Sequence, residues 1–227
     1  MKKIITTLLI LCGIYSVSQA QTKNTNEFGF NVGYNASTVS DSQTGETSSY
    51  TGGFNLGFSA EHYFSDRWGI KAKVIYDQKG WGDGFITSSA TPDGETSGEV
   101  FNGIDFHLNY ITVPIMANWH FGRMRNWYLN FGPYVGFLLS AHATSNDAAF
   151  TSNSGAANSI DVKDSFNSTD FGLALGIGVK FPISNNVKLF IEDDAQAGIS
   201  HLFKDGSDGN VQSERSSVNI GFIFAVK

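Results

Sequence analysis

The stretch from Phe106 to His142 alternates apolar and mixed side chains almost without interruption. Residues 122–126 divide it into two halves and have the polar composition of a tight turn. A period of two is typical of a β-strand whose two faces meet different surroundings. Each half has about a dozen or more residues, whereas strands of soluble proteins have about five or six and membrane-spanning strands about 9–11. Aromatic residues flank the apolar face at the turn end, namely Trp119, Phe121, Trp127 and Tyr128. The stretch therefore predicts a transmembrane β-hairpin.

The same alternation recurs along the rest of the chain and predicts eight strands in all. Long and short connections alternate between them, which is the rhythm of an up-and-down β-barrel. The predicted strands are 27–40, 50–64, 68–80, 106–121, 127–142, 169–183, 187–203 and 215–227. In lipid only a helix or a closed barrel satisfies every backbone polar group, so the first strand should pair with the last. We predict an all-β fold, an eight-stranded antiparallel up-and-down transmembrane β-barrel with short periplasmic turns and four longer extracellular loops. A soluble, lipocalin-like barrel is the rival fold, and it would place its apolar face inward.

The N-terminal segment and the composition indicate export. Residues 1–20 carry Lys2 and Lys3, then an apolar run, then small residues at 18 and 20, which predicts a signal peptide. Residues 21–227 would form the barrel domain. Cys12, the one cysteine of the chain, lies in the segment to be removed, so we expect no disulfide in the mature chain. Losing two lysines leaves 13 of the 15 basic residues against 21 acidic ones, which argues against a nucleic-acid partner.

Charged residues occupy the faces that should point into the barrel. Basic residues on the third and sixth predicted strands could pair with acidic residues on the seventh and fill the lumen. The same charges could instead line a narrow path for ions or solutes. The residues predicted to form this network are Lys71, Lys73, Asp77, Lys180, Lys188, Glu192 and Asp194. Asp193 interrupts the apolar side of the seventh strand, so either a bulge shifts the register there or Asp193 lies near a membrane interface.

Nothing in the sequence predicts a catalytic site, a cofactor or a metal. The five histidines lack metal-ligand spacing with one another. His142 near Ser140 and His201 near Ser200 have no identifiable acid to orient them, which leaves a lipid-modifying enzyme as the weakest alternative. Segments 93–95 and 205–210 look like fragments of calcium loops without the full ligand series. Apolar residues in the long loops could contact a partner or fold the loops back: Phe85, Ile86, Val100, Phe101, Ile104 and Phe150.

Three short motifs carry a resemblance to a known family. They are a Tyr-x-x-x-Pro strand, the segment Gly-Pro-Tyr-Val-Gly on the next strand, and a glycine near the end of the seventh strand. The residues concerned are Tyr110, Pro114, Gly132, Pro133, Tyr134, Gly136 and Gly198. Together they resemble the PorT-like outer-membrane β-barrel family of Gram-negative bacteria, often labelled "porin family", over nearly the whole mature chain. Many such barrels end on an aromatic residue, whereas this sequence ends on Lys227.

The resemblance implies outer-membrane localisation and says little about activity. It implies that the chain meets outer-membrane lipid and the barrel-insertion machinery. We expect a monomer and a structural or interaction scaffold that displays its long loops outside the cell, with an unknown extracellular or periplasmic partner. The alternative is a narrow passive channel.

Overall fold

The computed structural model describes residues 23–41, 47–88, 99–145, 158–204 and 211–226, with side chains from 85–88 and 99–102 left undescribed. Within these ranges the chain is almost entirely β. The strands are β1 (Asn26–Asp41), β2 (Ser49–Tyr63), β3 (Trp68–Ser88), β4 (Glu99–Phe121), β5 (Trp127–Thr144), β6 (Ser159–Asp161), β7 (Thr169–Pro182), β8 (Val187–Gly198) and β9 (Val211–Val226). A short 3-10 helix (Lys163–Ser165) follows β6. Among the described residues, none forms a helix with the length and apolar character of a membrane span.

Eight of these strands close into one antiparallel ring, in the order β1-β2-β3-β4-β5-β7-β8-β9. The ring closes because β1 pairs with β9 from Asn26 opposite Val226 to Asp41 opposite Val211. This confirms the predicted eight-stranded barrel. The three-residue β6 is an addition, since it pairs with β5 beyond the stretch that β7 occupies.

The strands are strongly staggered around the ring. The stagger can be measured by following paired residues once around the ring, starting immediately before β3 at Arg67, which lies opposite His120. The path returns to β3 at Asp77, which lies opposite Asn55. Asp77 is ten positions further along the chain than Arg67. Ten positions of stagger over eight strands correspond to a strand tilt of about 40°. Residues far apart in sequence therefore reach the same height in the lumen.

The two faces of the wall have opposite chemistry. On β1, Phe28, Phe30 and Val32 are exposed, whereas Asn31 and Asn35 between and beyond them are buried in the lumen. This apolar-out, polar-in pattern is that of a barrel in lipid and is the reverse of a soluble lipocalin-like barrel.

An aromatic belt runs across β3, β4 and β5 at the end of the barrel that carries the tight turns. Trp68 packs on Trp119 with ring centres 6.3 Å apart, and Phe121 lies 5.1 Å from Trp119 and 6.4 Å from Trp127. Such belts sit where lipid meets water. Tyr128, which we expected in this belt, is instead fully buried inside the barrel.

The predicted loop 81–105 is wrong at both ends, because β3 continues to Ser88 and β4 begins at Glu99. The strand register shifts on both sides of Gly84, and Asp83 has a φ of 55°. A bulge therefore absorbs the glycine-rich segment that suggested a loop. Residues 84–88 of β3 pair with residues 99–104 of β4. This pairing lies beyond the last residues at which β3 pairs with β2 and β4 pairs with β5. We call this two-stranded extension the ribbon.

The predicted seventh strand, 187–203, is too long, because β8 ends at Gly198. The hydroxyl of Ser200 turns inward, and Leu202 is buried in the mouth of the barrel. The register of β8 against β7 runs unbroken from Gly198 to Lys188, so no bulge occurs at Asp193. Asp193 is exposed on the lipid-facing side near the middle of β8.

Candidate functional site

Among the residues that the structure describes, the lumen holds as many acidic as basic side chains. Each of these twelve residues exposes 8% or less of its surface, so a water-sized sphere hardly reaches them. The six acids are Glu27, Glu61, Asp77, Asp170, Glu192 and Asp194, and the six bases are Lys71, Lys73, Lys79, Lys180, Lys188 and Arg215. We call this set the lumen charge network. With equal numbers of the two signs, the filled interior carries no net charge from these groups.

The tier nearest the tight turns is organised around Lys180 on β7. Its Nζ lies 2.8 Å from Glu27 Oε2 and 3.1 Å from Glu61 Oε2, on β1 and β2. It also donates to the Tyr63 hydroxyl at 2.7 Å, and Tyr63 donates to Glu27 at 2.8 Å. Lys188 Nζ approaches the other Glu27 oxygen at 2.5 Å. Further contacts to Glu61 come from His120 Nε2 at 2.9 Å and Asn118 Nδ2 at 2.7 Å.

The middle tier links β3, β8 and β9. Glu192 accepts hydrogen bonds from Lys71 at 2.8 Å and from Lys73, and Lys73 also lies 3.3 Å from Asp194. Arg215 Nη1 is 2.5 Å from Asp194 Oδ1. The tier is completed by hydrogen bonds from Arg215 Nε to Asp77 at 3.0 Å, Asn35 to Asp77 at 2.8 Å and Asn130 to Glu192 at 3.0 Å. Buried charges are tolerated in such an arrangement because each is paired and hydrogen-bonded.

The third tier is centred on Asp170 at the start of β7. Lys79 Nζ lies 3.3 Å from its Oδ2, and the Tyr134 hydroxyl donates to the same oxygen at 3.0 Å. Ser200 and Ser213 donate to Asp170 at 2.9 Å each. Lys79 also lies over the Tyr134 ring, 4.9 Å from its centre, which adds a cation–π contact.

Beyond this tier the lumen turns apolar. The buried residues there, which we call the apolar cap, are Val39, Trp81, Ile104, Phe106, Leu108, Tyr110, Leu138, Ala141, Ala143, Phe166 and Leu202. The rings of Trp81 and Phe106 stack with centres 4.5 Å apart. Ile104, expected as a loop anchor, is fully buried in the cap. The long-loop end of the barrel is thus closed by hydrocarbon.

The structure brings together all seven residues of the predicted network, with partners for Lys180 other than the predicted ones. Lys71 and Lys73 meet acids of β8, whereas Lys180 and Lys188 meet Glu27 of β1, on the other side of the closure. The network also includes residues that were not selected from the sequence: Glu27, Glu61, Lys79, Asp170 and Arg215. The period-two alternation was the available signal, because each of them lies on an inward face.

Most residues of the resemblance lie on the inner wall or at close backbone contacts, and Pro133 lies on the outer face. Pro114 is paired with Tyr134 across β4 and β5. A Cβ on Gly132 would lie 2.2 Å from the carbonyl oxygen of Ile115, so only glycine allows these backbones to approach. The remaining positions are Tyr110 in the apolar cap, Gly136 against the Tyr110 ring, Pro133 on the outer face and Gly198 beside Ser213.

The two serine–histidine combinations do not form catalytic pairs in the described chain. The Ser200 hydroxyl donates to Asp170, and the neighbouring His201 is exposed. Ser140 and His142 are two positions apart on β5, and no hydrogen bond joins them there. No group of three or more potential metal ligands occurs among the described residues. Several predicted features lie outside the described residues or side chains: segments 93–95 and 205–210, Phe150, Phe85, Ile86, Val100 and Phe101.

A closed ring with an apolar outer face, an aromatic belt and a filled polar lumen defines an integral β-barrel of the bacterial outer membrane. Residues 18–204 match the family model described as "Outer membrane protein beta-barrel domain". The chain belongs to this family, and its location is the outer membrane of Gram-negative bacteria. The localisation predicted from the sequence is thereby confirmed.

Several solved structures are similar to this chain at low identity. Ail, the attachment invasion locus protein of Yersinia pestis, is 19% identical, with 89% of this chain and 100% of that one covered and a TM-score of 0.42. Neisserial surface protein A is 16% identical, with 86% and 95% covered and a TM-score of 0.45. OprG from Pseudomonas aeruginosa is 12% identical, with 92% and 99% covered and a TM-score of 0.45. Likeness at this level carries no information on function. No curated protein matches the chain.

Proposed function

We propose that this protein is a non-conducting outer-membrane scaffold that presents its long-loop end to an extracellular partner. One observation carries the proposal, namely a lumen filled by six acids and six bases that are buried to 8% exposure or less. The proposal includes insertion by the barrel-insertion machinery, a monomeric state and no enzymatic activity. The motif around Tyr110 and Tyr134 supports placing the chain in the PorT-like group.

Passage of an ion through this lumen would require the network to open. An eight-stranded barrel has an interior just wide enough for its own side chains. An ion entering the middle tier would have to displace Lys73 or Arg215 from Asp194, which leaves buried charges unpaired at a cost of several kcal/mol. The apolar cap adds a second barrier, because a hydrated ion loses its water there without gaining a partner.

The ribbon supports the display part of the proposal. It extends β3 and β4 past their last described pairings with β2 and β5, at Gly82 and Asp105, so its two strands pair with each other over 84–88 and 99–104. Loops and strand edges held on a rigid barrel are common sites of partner binding. A ribbon that extends beyond a filled barrel can contact a partner while the lumen stays closed.

The test is conductance of the folded mature chain, residues 21–227, in a planar bilayer. We expect no discrete current steps from the wild-type protein at any voltage that the bilayer withstands. A double variant, Lys73→Ala with Glu192→Ala, removes two lumen side chains without changing the net charge and is expected to give small steps.

The matched control is Arg125→Ala with Asp66→Ala, which removes an ion pair outside the lumen, where the side chains are 24% and 62% exposed. This control should be as silent as the wild type. Folding of each variant is checked by heat-modifiable gel mobility. Reproducible steps from the folded wild-type barrel would refute the proposal and make the protein a channel.

A further inference from the structure

A pocket of about 340 Å³ opens at the long-loop mouth of the barrel, beside the apolar cap. We call it the mouth pocket. Its described lining consists of Val39, Ser48, Trp81, Asp83, Gly84, Phe106, Phe203 and Val211. This volume falls at the lower end of the range for small-molecule sites, which are mostly apolar with a few placed polar groups.

The apolar side of the mouth pocket is tightly packed. Trp81 and Phe106 are 4% and 6% exposed, and their rings are nearly parallel, at 14°. Phe203 meets Trp81 edge-on, with ring centres 6.2 Å apart. These rings are already packed in place, so a ligand that enters would order few side chains and lose little affinity to that cost.

The rim of the mouth pocket is built with unusual backbone geometry. Asp83 has a φ of 55°, in the left-handed region that non-glycine residues rarely adopt. The Ser49 hydroxyl donates to Asp83 Oδ2 and fixes the carboxylate. A Cβ on the next residue, Gly84, would lie 2.5 Å from the Phe106 ring, so the bulge and the aromatic wall fit each other only with glycine there. Strained residues of this kind cluster at binding sites.

The charge of the rim is negative. Asp83 is the charged residue in the described lining, and it is exposed to solvent. The aromatic faces and the Asp83 carboxylate are together complementary to a molecule with an apolar body and a cationic head.

We propose that the mouth pocket binds a small organic cation, with its aromatic or branched apolar body against Trp81, Phe106 and Phe203 and its ammonium group at Asp83. This site is separate from the lumen charge network, and the inference holds whether or not the barrel conducts.

The test uses the full barrel in lipid nanodiscs and follows the indole N–H signal of Trp81 by NMR, assigned with a Trp81→Phe variant. The probe is 2-phenylethylamine, and the comparison molecules are 3-phenylpropionate, which reverses the charge, and methylamine, which lacks the ring. We expect a saturable shift with 2-phenylethylamine and at least tenfold weaker binding of both comparison molecules. The lipid-facing tryptophans Trp68, Trp119 and Trp127 report any general partitioning into the membrane.

Asp83→Asn tests the carboxylate without disturbing the backbone, because asparagine adopts a positive φ readily. Asp83→Asn should weaken the binding of 2-phenylethylamine about fivefold, which is the loss expected for a solvent-accessible ion pair. Asp164→Asn is the matched control, since Asp164 is exposed in the 3-10 helix and does not line the pocket. The affinity of the Asp164→Asn variant for 2-phenylethylamine should stay within twofold of that of the wild type. Val211→Phe, which fills the pocket, should abolish the Trp81 shift.

Four results would overturn the inference. They are equal shifts at all four tryptophans, a Trp81 shift that never saturates, binding of 3-phenylpropionate as tight as that of the amine, and equal affinities for Asp83→Asn and Asp164→Asn.

Discussion

Replacing Lys180 with methionine should destabilise the folded barrel by about 3–5 kcal/mol. Lys180 Nζ holds Glu27 at 2.8 Å, Glu61 at 3.1 Å and the Tyr63 hydroxyl at 2.7 Å, and the side chain is 1% exposed. Without it, two carboxylates on neighbouring strands remain in the lumen with less positive charge between them. The variant therefore removes attraction and introduces repulsion at the same point.

The magnitude follows from the contacts that remain. Hydrogen bonds to charged groups contribute about 1.5–3 kcal/mol each, so the three of Lys180 set an upper limit near 9 kcal/mol. Glu27 keeps Lys188, and Glu61 keeps His120, which reduces the loss. Methionine fills most of the volume of the lysine stem, so little cavity cost is added.

The assay is unfolding by urea of the barrel in lipid vesicles, with the folded fraction read from heat-modifiable gel mobility. Arg125→Met is the matched control, because it removes a cation from a partly exposed pair in which Arg125 Nη1 lies 3.4 Å from Asp66 Oδ2. That control should cost no more than about 1 kcal/mol. Adding Glu61→Gln to Lys180→Met should restore about 1–3 kcal/mol, since the neutral amide no longer needs a cation.

The reasoning fails if Lys180→Met and Arg125→Met have the same unfolding free energy. It also fails if Glu61→Gln is equally costly with and without Lys180, because the two residues would then be uncoupled.

Two further predictions concern the wall of the barrel and use the same unfolding assay. Asp193→Leu should stabilise the barrel by about 1–2 kcal/mol, because a lipid-facing carboxylate near mid-strand is replaced by hydrocarbon; a loss of stability would show that Asp193 has a partner. Gly178→Ala should cost about 1–3 kcal/mol, because its Cβ would lie 2.4 Å from the Tyr128 ring; an unchanged midpoint would show that this ring moves aside freely.

The barrel itself could be predicted from the sequence because the different surroundings of its outer and inner faces impose a pattern within each strand. Lipid outside and polar contacts inside give a period of two that is legible within each strand, as in Phe28 to Val32 of β1. The inward position of Lys71 or Lys180 follows directly from that alternation. The strand count and the closure of the ring follow in turn from the need to satisfy backbone groups in lipid.

The partners of the lumen charges could not be predicted in the same way. Whether Lys180 meets Glu192 or Glu27 depends on the height of each side chain in the lumen. That height is set by the stagger of the whole ring, and the stagger cannot be deduced from the sequence pattern of a single strand. The predicted pairing of Lys180 with acids of the adjacent β8 assumed neighbours in sequence, whereas the actual partners lie on β1 and β2.

The ends of the strands were predicted wrongly for a different reason. At the mouth the interior changes from polar to apolar, so Trp81, Phe106 and Leu202 point inward although the alternation assigns apolar residues to lipid. The glycines around Asp83 added a turn-like composition where the chain in fact forms a bulge. The same change concealed the aromatic wall of the mouth pocket, whose residues are distant in sequence.

The ion pairs of the lumen also constrain the order of assembly. Lys180 is 153 residues from Glu27 and 119 from Glu61, and Lys71 is 121 from Glu192. Contacts of such long range form late and slow a folding reaction. A nascent sheet that lacks β7 and β8 would carry uncompensated charges toward the membrane core. Insertion of this barrel should accordingly be all-or-none, with the first and last strands committed to the bilayer together.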